Sequence, residues 1–294
     1  MAGPELTDLG GGVHRITHPL PYALDHVHTY AIDDADGWTI VDAGHVWDAE
    51  ERWQDALRQL GSPRVARIAI THYHPDHIGG SRALQELTGA EVVQGRLDLE
   101  VTERMYGGGR MNVPIKPAAP NVIVDEGDVL DAGSRRFRIF HMPGHADGHI
   151  TLYDEERGEL FGGDVILHRI TPNVSWWPGM LHDPLALYYR TLERLEELAP
   201  GLVYPGHHGV IEDVPGRARE IREHHHVRLD ETERHLREGA VSPEDVLVRI
   251  WGRKLTPHEY RFAYGEAVSH LQRLEQLGRA SEVEPDRWQA TAAA

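Results

Sequence analysis

The sequence predicts an α+β protein in which mixed sheets are covered by helices, followed by a smaller helical domain at the C-terminus. Short apolar segments of strand length alternate with single amphipathic helices up to about residue 215. Beyond that point the pattern becomes mainly helical, and the chain of 294 residues is long enough for one large and one small domain. We therefore expect two domains, over residues 1–215 and 216–294.

Apolar runs, and the glycine, proline and aspartate residues that end them, predict the elements of the larger domain. Strands are predicted over 13–18, 27–33, 38–41, 65–70, 92–93, 121–124, 136–141, 150–154, 159–162 and 202–204. Helical spacing of apolar residues predicts helices over 47–60, 81–87 and 184–198. Residues 104–121 contain three consecutive glycines and three prolines, so this segment is predicted to be an irregular insertion.

In the smaller domain, two helices are predicted to begin after Ser242 and Thr256, because a capping residue is followed by proline in both places. The second of these helices is expected to end near Gly278. The run His224-His225-His226 also falls in a predicted helix. Adjacent helical residues point about 100° apart, so we interpret this run as a solvated helix face.

Composition restricts the classes of function. The chain has 30 Lys+Arg and 47 Asp+Glu, a formal net charge of −17, which disfavours nucleic acid as a partner without excluding a local basic groove. The absence of cysteine excludes disulfides, thiolate metal ligands and cysteine nucleophiles. No secretory leader and no membrane-spanning stretch is visible, so we expect a cytoplasmic protein with no membrane partner.

The strongest local signal is the segment Thr71-His72-Tyr73-His74-Pro75-Asp76-His77, which directly follows the predicted strand over 65–70. Three imidazoles and one carboxylate within six residues would be poor core material, because buried polar groups need partners. Histidine and aspartate are common ligands of divalent metals. The segment therefore predicts metal ligation.

Three further fragments each place one ligand-type residue just after a predicted strand and directly after a glycine. They are Pro143-Gly144-His145, Gly162-Gly163-Asp164 and Pro205-Gly206-His207. Glycine allows unusual backbone angles and a close approach of neighbouring groups. Each fragment alone is weak, but the four motifs in this order strongly indicate one metal centre.

These four motifs resemble the metallo-β-lactamase superfamily, whose αβ/βα sandwich collects metal ligands at one edge of two packed sheets. The resemblance, closest to the dinuclear arrangement of glyoxalase II, implies a first metal held by His72, His74 and His145. It implies a second metal held by Asp76, His77 and His207, with Asp164 bridging the two. Asp76 and Asp164 are accordingly the predicted catalytic residues. Asp42, in the turn after the strand over 38–41, matches a family aspartate that orients a ligand histidine.

The expected cofactors are two Zn²⁺ ions, with iron or manganese also compatible with imidazole and carboxylate ligands. Two cations about 3.5–4 Å apart lower the pKa of a shared water, which supplies a hydroxide nucleophile at neutral pH. Cysteine-dependent β-lactamases are excluded, and the bridging Asp164 disfavours the other β-lactamases. The diiron flavoproteins are disfavoured because they carry a glutamate where this chain has His74.

The leading functional hypothesis is a dinuclear metallohydrolase that cleaves an ester, thioester or lactone of a small molecule. Trp176 and Trp177, in a segment rich in proline and glycine, are candidates for the wall of the substrate pocket, and Tyr106 and His168 are further candidates. The C-terminal part is similar to the winged-helix-like tail of the β-lactamase-like endoribonucleases. A metal-dependent endoribonuclease or phosphodiesterase is therefore the alternative, followed by a non-catalytic metal-binding or sensory protein. The tail is also compatible with a homodimer.

Overall fold

A computed structural model describes residues 3–107 and 115–291 of the chain. The described residues fall into two compact units that are not continuous in sequence. The first unit comprises Met1–Met142, Gly148–Ile170 and Pro200–Val214, and the second comprises Pro143–Asp147, Thr171–Ala199 and Pro215–Ala294.

The described residues of the first unit form two mixed sheets and four helices. Its strands are β1 (Glu5–Asp8), β2 (Val13–Pro19), β3 (His26–Ile32), β4 (Trp38–Val41), β5 (Val65–Ile70), β6 (Glu91–Gly95), β7 (Val122–Val124), β8 (Val129–Ala132), β9 (Arg135–His141), β10 (Ile150–Asp154), β11 (Glu159–Gly163) and β12 (Leu202–Pro205). Its helices are α1 (Ala49–Gln59), α2 (Pro75–Ile78), α3 (Ser81–Thr88) and α4 (Arg96–Tyr106).

The first sheet has the order β1-β2-β3-β4-β5-β6-β7, and the second has the order β12-β11-β10-β9-β8. Strands β1 to β4 pair antiparallel, whereas β4, β5, β6 and β7 pair parallel. In the second sheet only β11 and β12 are parallel. Both sheets are therefore mixed, and each contains parallel strands whose carboxyl ends lie on the same edge.

Apolar side chains from both sheets form one core. Tyr30 and Ala69 of the first sheet belong to the same buried cluster as Phe137 and Phe161 of the second sheet. A second cluster joins the opposite face of the first sheet to Trp53 of α1 and to α3. The first unit is thus a sandwich of two sheets with helices on an outer face, which confirms the predicted α+β class.

The second unit is mainly helical. Its elements are α5 (Pro184–Leu198), α6 (Val214–Arg237, whose first residue belongs to the first unit), α7 (Pro243–Trp251), α8 (Pro257–Gln276), β13 (Ala280–Glu284) and β14 (Arg287–Ala290). Ser242 and Thr256 cap α7 and α8 as predicted, each within a reciprocal capping box. The antiparallel hairpin of β13 and β14 extends the expected helical domain.

The structure differs from the predicted elements at several places. Helices α2 and α4 and strands β1, β8, β13 and β14 were not predicted. The expected irregular insertion over 104–121 begins with the last turn of α4, its residues 108–114 lie outside the described residues, and 115–121 have no regular structure. In the described part of the chain, no helix is both long and apolar enough to cross a bilayer.

Candidate metal centre

The ligand-type residues of the first unit follow the carboxyl ends of parallel strands. Asp42 follows β4, the segment from His72 to His77 follows β5, Asp164 follows β11 and His207 comes two residues after β12. In the second sheet Gly163 pairs with Pro205, so the chain leaves both strands at neighbouring positions. The topology therefore brings these side chains together at the edge of both sheets.

The glycines that precede the ligands are required by close packing. A Cβ atom on Gly206 would lie 2.4 Å from Asp164 Oδ1 and 2.6 Å from His77 Cε1. Gly163 has a φ of +50°, and a Cβ atom there would lie 2.5 Å from Thr71 Oγ1. Any larger residue would displace the side chains of the centre, which explains the glycines in two of the motifs.

One group of donor atoms comprises Asp76, His77, His207 and Asp164. His207 Nε2 lies 3.3 Å from Asp164 Oδ2 and 3.4 Å from Asp76 Oδ2, and His77 Nε2 lies 3.5 Å from the same Asp164 oxygen. These separations exceed those of ordinary charge-assisted hydrogen bonds. They match the distance of about 3.3 Å between neighbouring ligand atoms of a tetrahedral ion with bonds of about 2.0–2.1 Å.

A second group begins with His72 and His74, whose Nε2 and Nδ1 atoms are 2.9 Å apart. His72, His77 and Asp164 also offer donor atoms that all lie within 4.8 Å of one another. The Asp164 carboxylate is therefore within reach of both groups. This placement is the one that a bridging ligand requires.

His145 belongs to the second unit, unlike the six other predicted ligands. Within that unit its Nδ1 lies 2.8 Å from the carbonyl oxygen of Asn173. Because a carbonyl only accepts hydrogen bonds, Nδ1 carries the proton and Nε2 is left as the donor atom for a metal.

Two other imidazoles, those of His77 and His207, are oriented in the same way. His77 Nδ1 lies 2.7 Å from Asp42 Oδ2, and His207 Nδ1 lies 2.6 Å from the carbonyl oxygen of His26. Both partners are acceptors, so each Nδ1 donates and each Nε2 faces the centre. Such partners of ligating histidines set the tautomer and the orientation of the ring.

Asp42 also orients His72, through Thr71. The Thr71 hydroxyl donates to Asp42 Oδ2 at 2.8 Å, and the Thr71 oxygen then accepts from His72 Nδ1 at 3.0 Å. The backbone N–H of Thr71 donates to Asp42 Oδ1 at 2.8 Å. One buried carboxylate therefore fixes two of the imidazoles, and it does so from a left-handed backbone conformation with a φ of 61°.

The electrostatics of the centre favour a cation. Burial alone would lower the pKa of His77 and His207, but the carboxylate of Asp164 and its neighbours outweigh it. The pKa of His77 is raised well above its ordinary value, and that of His207 is raised to about 10. The pKa of Asp164 lies well below its ordinary value. Burial would raise this pKa, but the charges of His207 and His77 lower it by more. Without metal, protons therefore supply the positive charge that these carboxylates demand.

The donor set fits a pair of divalent cations. The described residues offer imidazole nitrogens with fixed tautomers, ionised carboxylates and separations suited to metal–ligand bonds. His77 Nε2 and His207 Nε2 are buried without a hydrogen bond of normal geometry in the described part of the chain. A cation in place of the protons would satisfy both atoms.

Two residues that the motifs did not indicate also support the centre. Asp98, in α4 after β6, accepts a hydrogen bond from Tyr73 N at 2.9 Å and so holds the loop between His72 and His74. Burial raises the pKa of Asp98 to about 8, although hydrogen bonds from Gln94 and Tyr73 act to lower it. His149 Nε2 accepts from Asp164 N at 3.1 Å, and its ring stacks on His72. Asp98 follows the next parallel strand after β5, which is the only sequence signal that would have found it.

The predicted substrate-binding residues lie in different places. The Tyr106 hydroxyl donates to the Tyr73 carbonyl at 2.7 Å, so it supports the ligand loop. His168 is exposed shortly after β11. Trp176 and Trp177 belong to the second unit, where they pack on α8; Trp176 N donates to the carbonyl of Gly265, at 3.1 Å.

Three aromatic residues that the sequence analysis did not select lie close to Asp76. The rings of His45 and Trp47 are stacked 3.5 Å apart, and the Tyr22 ring lies 5.5 Å from Trp47. Burial raises the pKa of Tyr22, and the charge of Asp76 raises it further. Burial lowers the pKa of His45 to about 4, although the charge of Asp76 acts in the opposite direction. The group formed by Tyr22, His45 and Trp47 is therefore next to the metal centre.

Comparison with known proteins agrees with this fold and centre. The profile of the metallo-beta-lactamase superfamily matches residues 22–207, and that of the metallo-beta-lactamase-like C-terminal domain matches residues 229–288. The chain therefore belongs to the metallo-β-lactamase superfamily, a group of metal-dependent hydrolases, as the motifs predicted.

The similar proteins include two kinds of thioesterase and one solved structure. It is 33% identical over 225 residues to the acyl-coenzyme A thioesterase MBLAC2 of Gallus gallus, covering 68% of this chain and 78% of that protein. The match spans only 59% and 60% of the proteins of that name from Bos taurus and Homo sapiens. An atrochrysone carboxyl ACP thioesterase of Paecilomyces divaricatus is 27% identical, over 67% of this chain and 54% of that protein. The crystal structure of a beta-lactamase domain protein from Burkholderia ambifaria has a TM-score of 0.88 and 30% identity, over 98% of this chain and 94% of that one.

Proposed function

We propose that this protein is a dinuclear metal-dependent hydrolase of acyl thioesters. The observation that carries the proposal is the convergence of imidazole Nε2 atoms with fixed tautomers on the carboxylate of Asp164. The choice of a thioester over an oxygen ester or a lactone is supported by two relatives that are named thioesterases. The substrate is thus a small acyl group linked to a carrier thiol.

In this proposal, the first metal is held by His72, His74 and His145, and the second by Asp76, His77 and His207. Asp164 would bridge them. Zinc suits this mixture of imidazole and carboxylate donors, and iron or manganese would be accepted by the same set. The ligands all come from residues 1–215, which we propose as the catalytic domain, with residues 216–294 as the accessory domain.

When bound, the two cations would activate a water molecule and polarise the acyl carbonyl group. Water adds to the carbonyl carbon, the bond between carbon and sulfur breaks, and a proton passes to the leaving thiolate, so that the products are a carboxylic acid and a thiol. Asp42 and the His26 carbonyl keep His77 and His207 in the tautomer and orientation that the centre needs. The ionised carboxylates of Asp76 and Asp164 balance the positive charge.

The aromatic group of Tyr22, His45 and Trp47 is the proposed contact surface for the acyl chain or its carrier. The rings of Tyr22 and Trp47 pack beside the buried His45, and the charge of Asp76 acts on both Tyr22 and His45. Tryptophan and tyrosine provide a large apolar area at a low cost in conformational entropy. The proposed partner is therefore a small molecule, and the net charge of −17 argues against RNA.

The test is a panel of substrates assayed with the same metal-loaded preparation. It includes acyl-coenzyme A thioesters of increasing chain length, an oxygen ester, a lactone, a phosphodiester and single-stranded RNA. We expect the thioesters to be cleaved with the highest kcat/KM of the panel, with release of free thiol. Faster cleavage of the phosphodiester or RNA would contradict the proposal.

Asp164→Ala should lower kcat/KM by about 100- to 1000-fold, since it removes a charged group from the reacting centre. The matched control is Asp131→Ala, which removes an exposed carboxylate on β8. Full thioesterase activity in Asp164→Ala would refute the bridging role of this residue.

A further inference from the structure

His225 is buried in a way that the sequence did not predict. The histidine run at 224–226 was interpreted as a solvated helix face, and for His225 this interpretation is wrong, because its side chain is 0% exposed. His225 lies on the buried side of α6 with Ile221 and Leu229, which are spaced four residues to either side. His226 alone of the three is exposed.

The buried imidazole of His225 makes no hydrogen bond within the described part of the chain. Neither its Nδ1 nor its Nε2 has a partner among the described residues, although both atoms are shielded from solvent. Its ring contacts are the edge-on rings of Tyr188 and Tyr189 and the ring of His270, which lies 5.7 Å away. Burying two polar atoms without partners is costly, so a missing partner has to be sought.

The neighbouring helix α8 provides a buried carboxylate. Glu266 is 8% exposed and accepts a hydrogen bond from Asn173 Nδ2 at 2.9 Å on Oε2. Donor atoms of His224, His225 and Glu266 all lie within 4.8 Å of one another. Neutral imidazoles and a carboxylate are thus gathered at one point between α6 and α8, apart from the centre in the first unit.

We propose that His224, His225 and Glu266 bind a divalent transition-metal cation, with Zn²⁺ as the best match. Two imidazoles and one carboxylate are a donor set typical of zinc, and three protein ligands leave one position for water. The rings of His224 and His225 lie 5.3 Å apart at 83°, and one nitrogen of each lies within 4.8 Å of the other and of a Glu266 oxygen. Closing the group to the separations of about 3.3 Å of a tetrahedral site requires shifts of at most about 1.5 Å.

The protonation states support this arrangement. Burial lowers the pKa of His225 well below its ordinary value, and the charges of His270 and His224 lower it further, so its lone pairs are available at neutral pH. Burial also lowers the pKa of His224. Glu266, whose pKa is raised to about 7 by burial, is the ionisable partner that a cation would deprotonate.

Access and neighbouring charge are compatible with a cation. His224 is half-buried, which gives an ion a route from solvent. Arg228 and Arg217 are cationic groups near His224. The Arg228 guanidinium donates to Glu231 at 2.8 Å and lies over the ring of Trp251, and Arg217 donates to Glu220 at 3.0 Å. Since Arg228 is engaged by these partners, it does not occupy the proposed position.

The experiment counts zinc in the full-length protein. The protein is stripped with a chelator, reloaded with excess Zn²⁺, separated from free metal and analysed for zinc per chain. Glu266→Gln and His224→Ala are expected to bind one equivalent less than the wild-type chain. His226→Ala, which removes the exposed histidine of the same helix, is the matched control and should bind as much as the wild type.

A variant that lacks two ligands of the candidate metal centre distinguishes zinc bound at that centre from zinc bound at the proposed site. In a His72→Ala/His207→Ala chain, one zinc should remain, and it should be lost when Glu266→Gln is added. The remaining site should bind Zn²⁺ at least about 10-fold more weakly in His224→Ala, since a ligand is lost. Loading with Co²⁺ should give the visible absorption of a tetrahedral site, and Glu266→Gln should abolish it.

Glu266→Gln preserves the size of the side chain and its hydrogen bond to Asn173, so the fold should be retained, and circular dichroism checks this. Equal zinc content in the wild type, Glu266→Gln and His224→Ala would overturn the proposal. In that case His225 would be held in the core by packing alone.

Discussion

Replacing Asp42 by asparagine changes a hydrogen-bond acceptor that faces His77 into a donor, while the size of the side chain stays the same. In the structure, Asp42 Oδ1 accepts from Thr71 N at 2.8 Å, and Oδ2 accepts from His77 Nδ1 at 2.7 Å. An asparagine that keeps the first bond places its NH₂ group against His77. His77 must then accept at Nδ1 and carry its proton on Nε2, the atom that faces Asp164.

The expected loss follows from this change of tautomer. A hydrogen bond to a charged group contributes about 1.5–3 kcal/mol, which corresponds to a factor of about 10 to 150 in an equilibrium constant. We therefore expect Asp42→Asn to weaken metal binding at the site of His77 by about 10- to 150-fold. Thr71 remains hydrogen-bonded through its backbone, so the fold of the loop should be retained.

The assay is a competition titration of the metal-free protein with Zn²⁺ and a chromophoric chelator. Asp48→Asn is the matched control, because Asp48 has a similar left-handed φ of 51° but is exposed and is not one of the predicted metal ligands. Thermal unfolding of both metal-free variants shows whether the fold is intact. Wild-type zinc affinity in a folded Asp42→Asn chain would refute the idea that Asp42 sets the tautomer of His77.

Two further predictions concern packing and protons at the centre. Gly206→Ala should lower zinc affinity and kcat/KM by about 10- to 100-fold, because its Cβ would lie 2.4 Å from Asp164 Oδ1. Gly209→Ala is the control and should have no effect, because the nearest atom to its Cβ would be 3.6 Å away. Equal behaviour of the two variants would contradict the packing argument. The raised pKa values of His77 and of His207 (about 10) mean that both are protonated at pH 7 in the metal-free protein, so metal binding should release about one to two protons and strengthen as pH rises from 6 to 9. Calorimetry in two buffers of different ionisation enthalpy measures this release, and a binding enthalpy independent of the buffer would be the contrary result.

The ligand loops could be predicted because strand ends and ligand residues are both local in sequence. The apolar run of β5 and the histidines that follow it are adjacent, and the same holds for Gly163 and Asp164 after β11. The orienting partners are different, since they come from distant parts of the chain. The carbonyl of His26 and the side chain of Asp98 leave no motif, and only the paired strands bring them to the centre.

Helix α4 was missed because its inward face is largely polar. It buries Asp98 and Thr102 beside a single valine, Val101, while Leu97 is 45% exposed, so the apolar residues mark the buried side poorly. Its N-cap is Gly95, which offers no side chain for capping. The hairpin of β13 and β14 was missed for a related reason, since three of the five residues of β13 are exposed, two of them glutamates, and the strand shows no apolar alternation.

His225 shows the opposite error. A polar run in a helix usually faces solvent, and the spacing of Ile221, His225 and Leu229 was the signal that would have corrected the interpretation. A helical stripe has to be followed through a histidine as well as through apolar residues. Burial of an imidazole depends on its partners across the helix interface, and these are not visible in the local sequence.

Ligands of the candidate centre lie just after the ends of β5, β11 and β12, and these segments are far apart in sequence. In the unfolded chain they are not near one another, so a bound cation acts as a cross-link that exists only in the native state. Each such ion present at about 100 times its dissociation constant would add about 2.7 kcal/mol to the free energy of unfolding. We therefore expect the resistance of this protein to heat and to proteases to rise and fall with the supply of metal, independently of turnover.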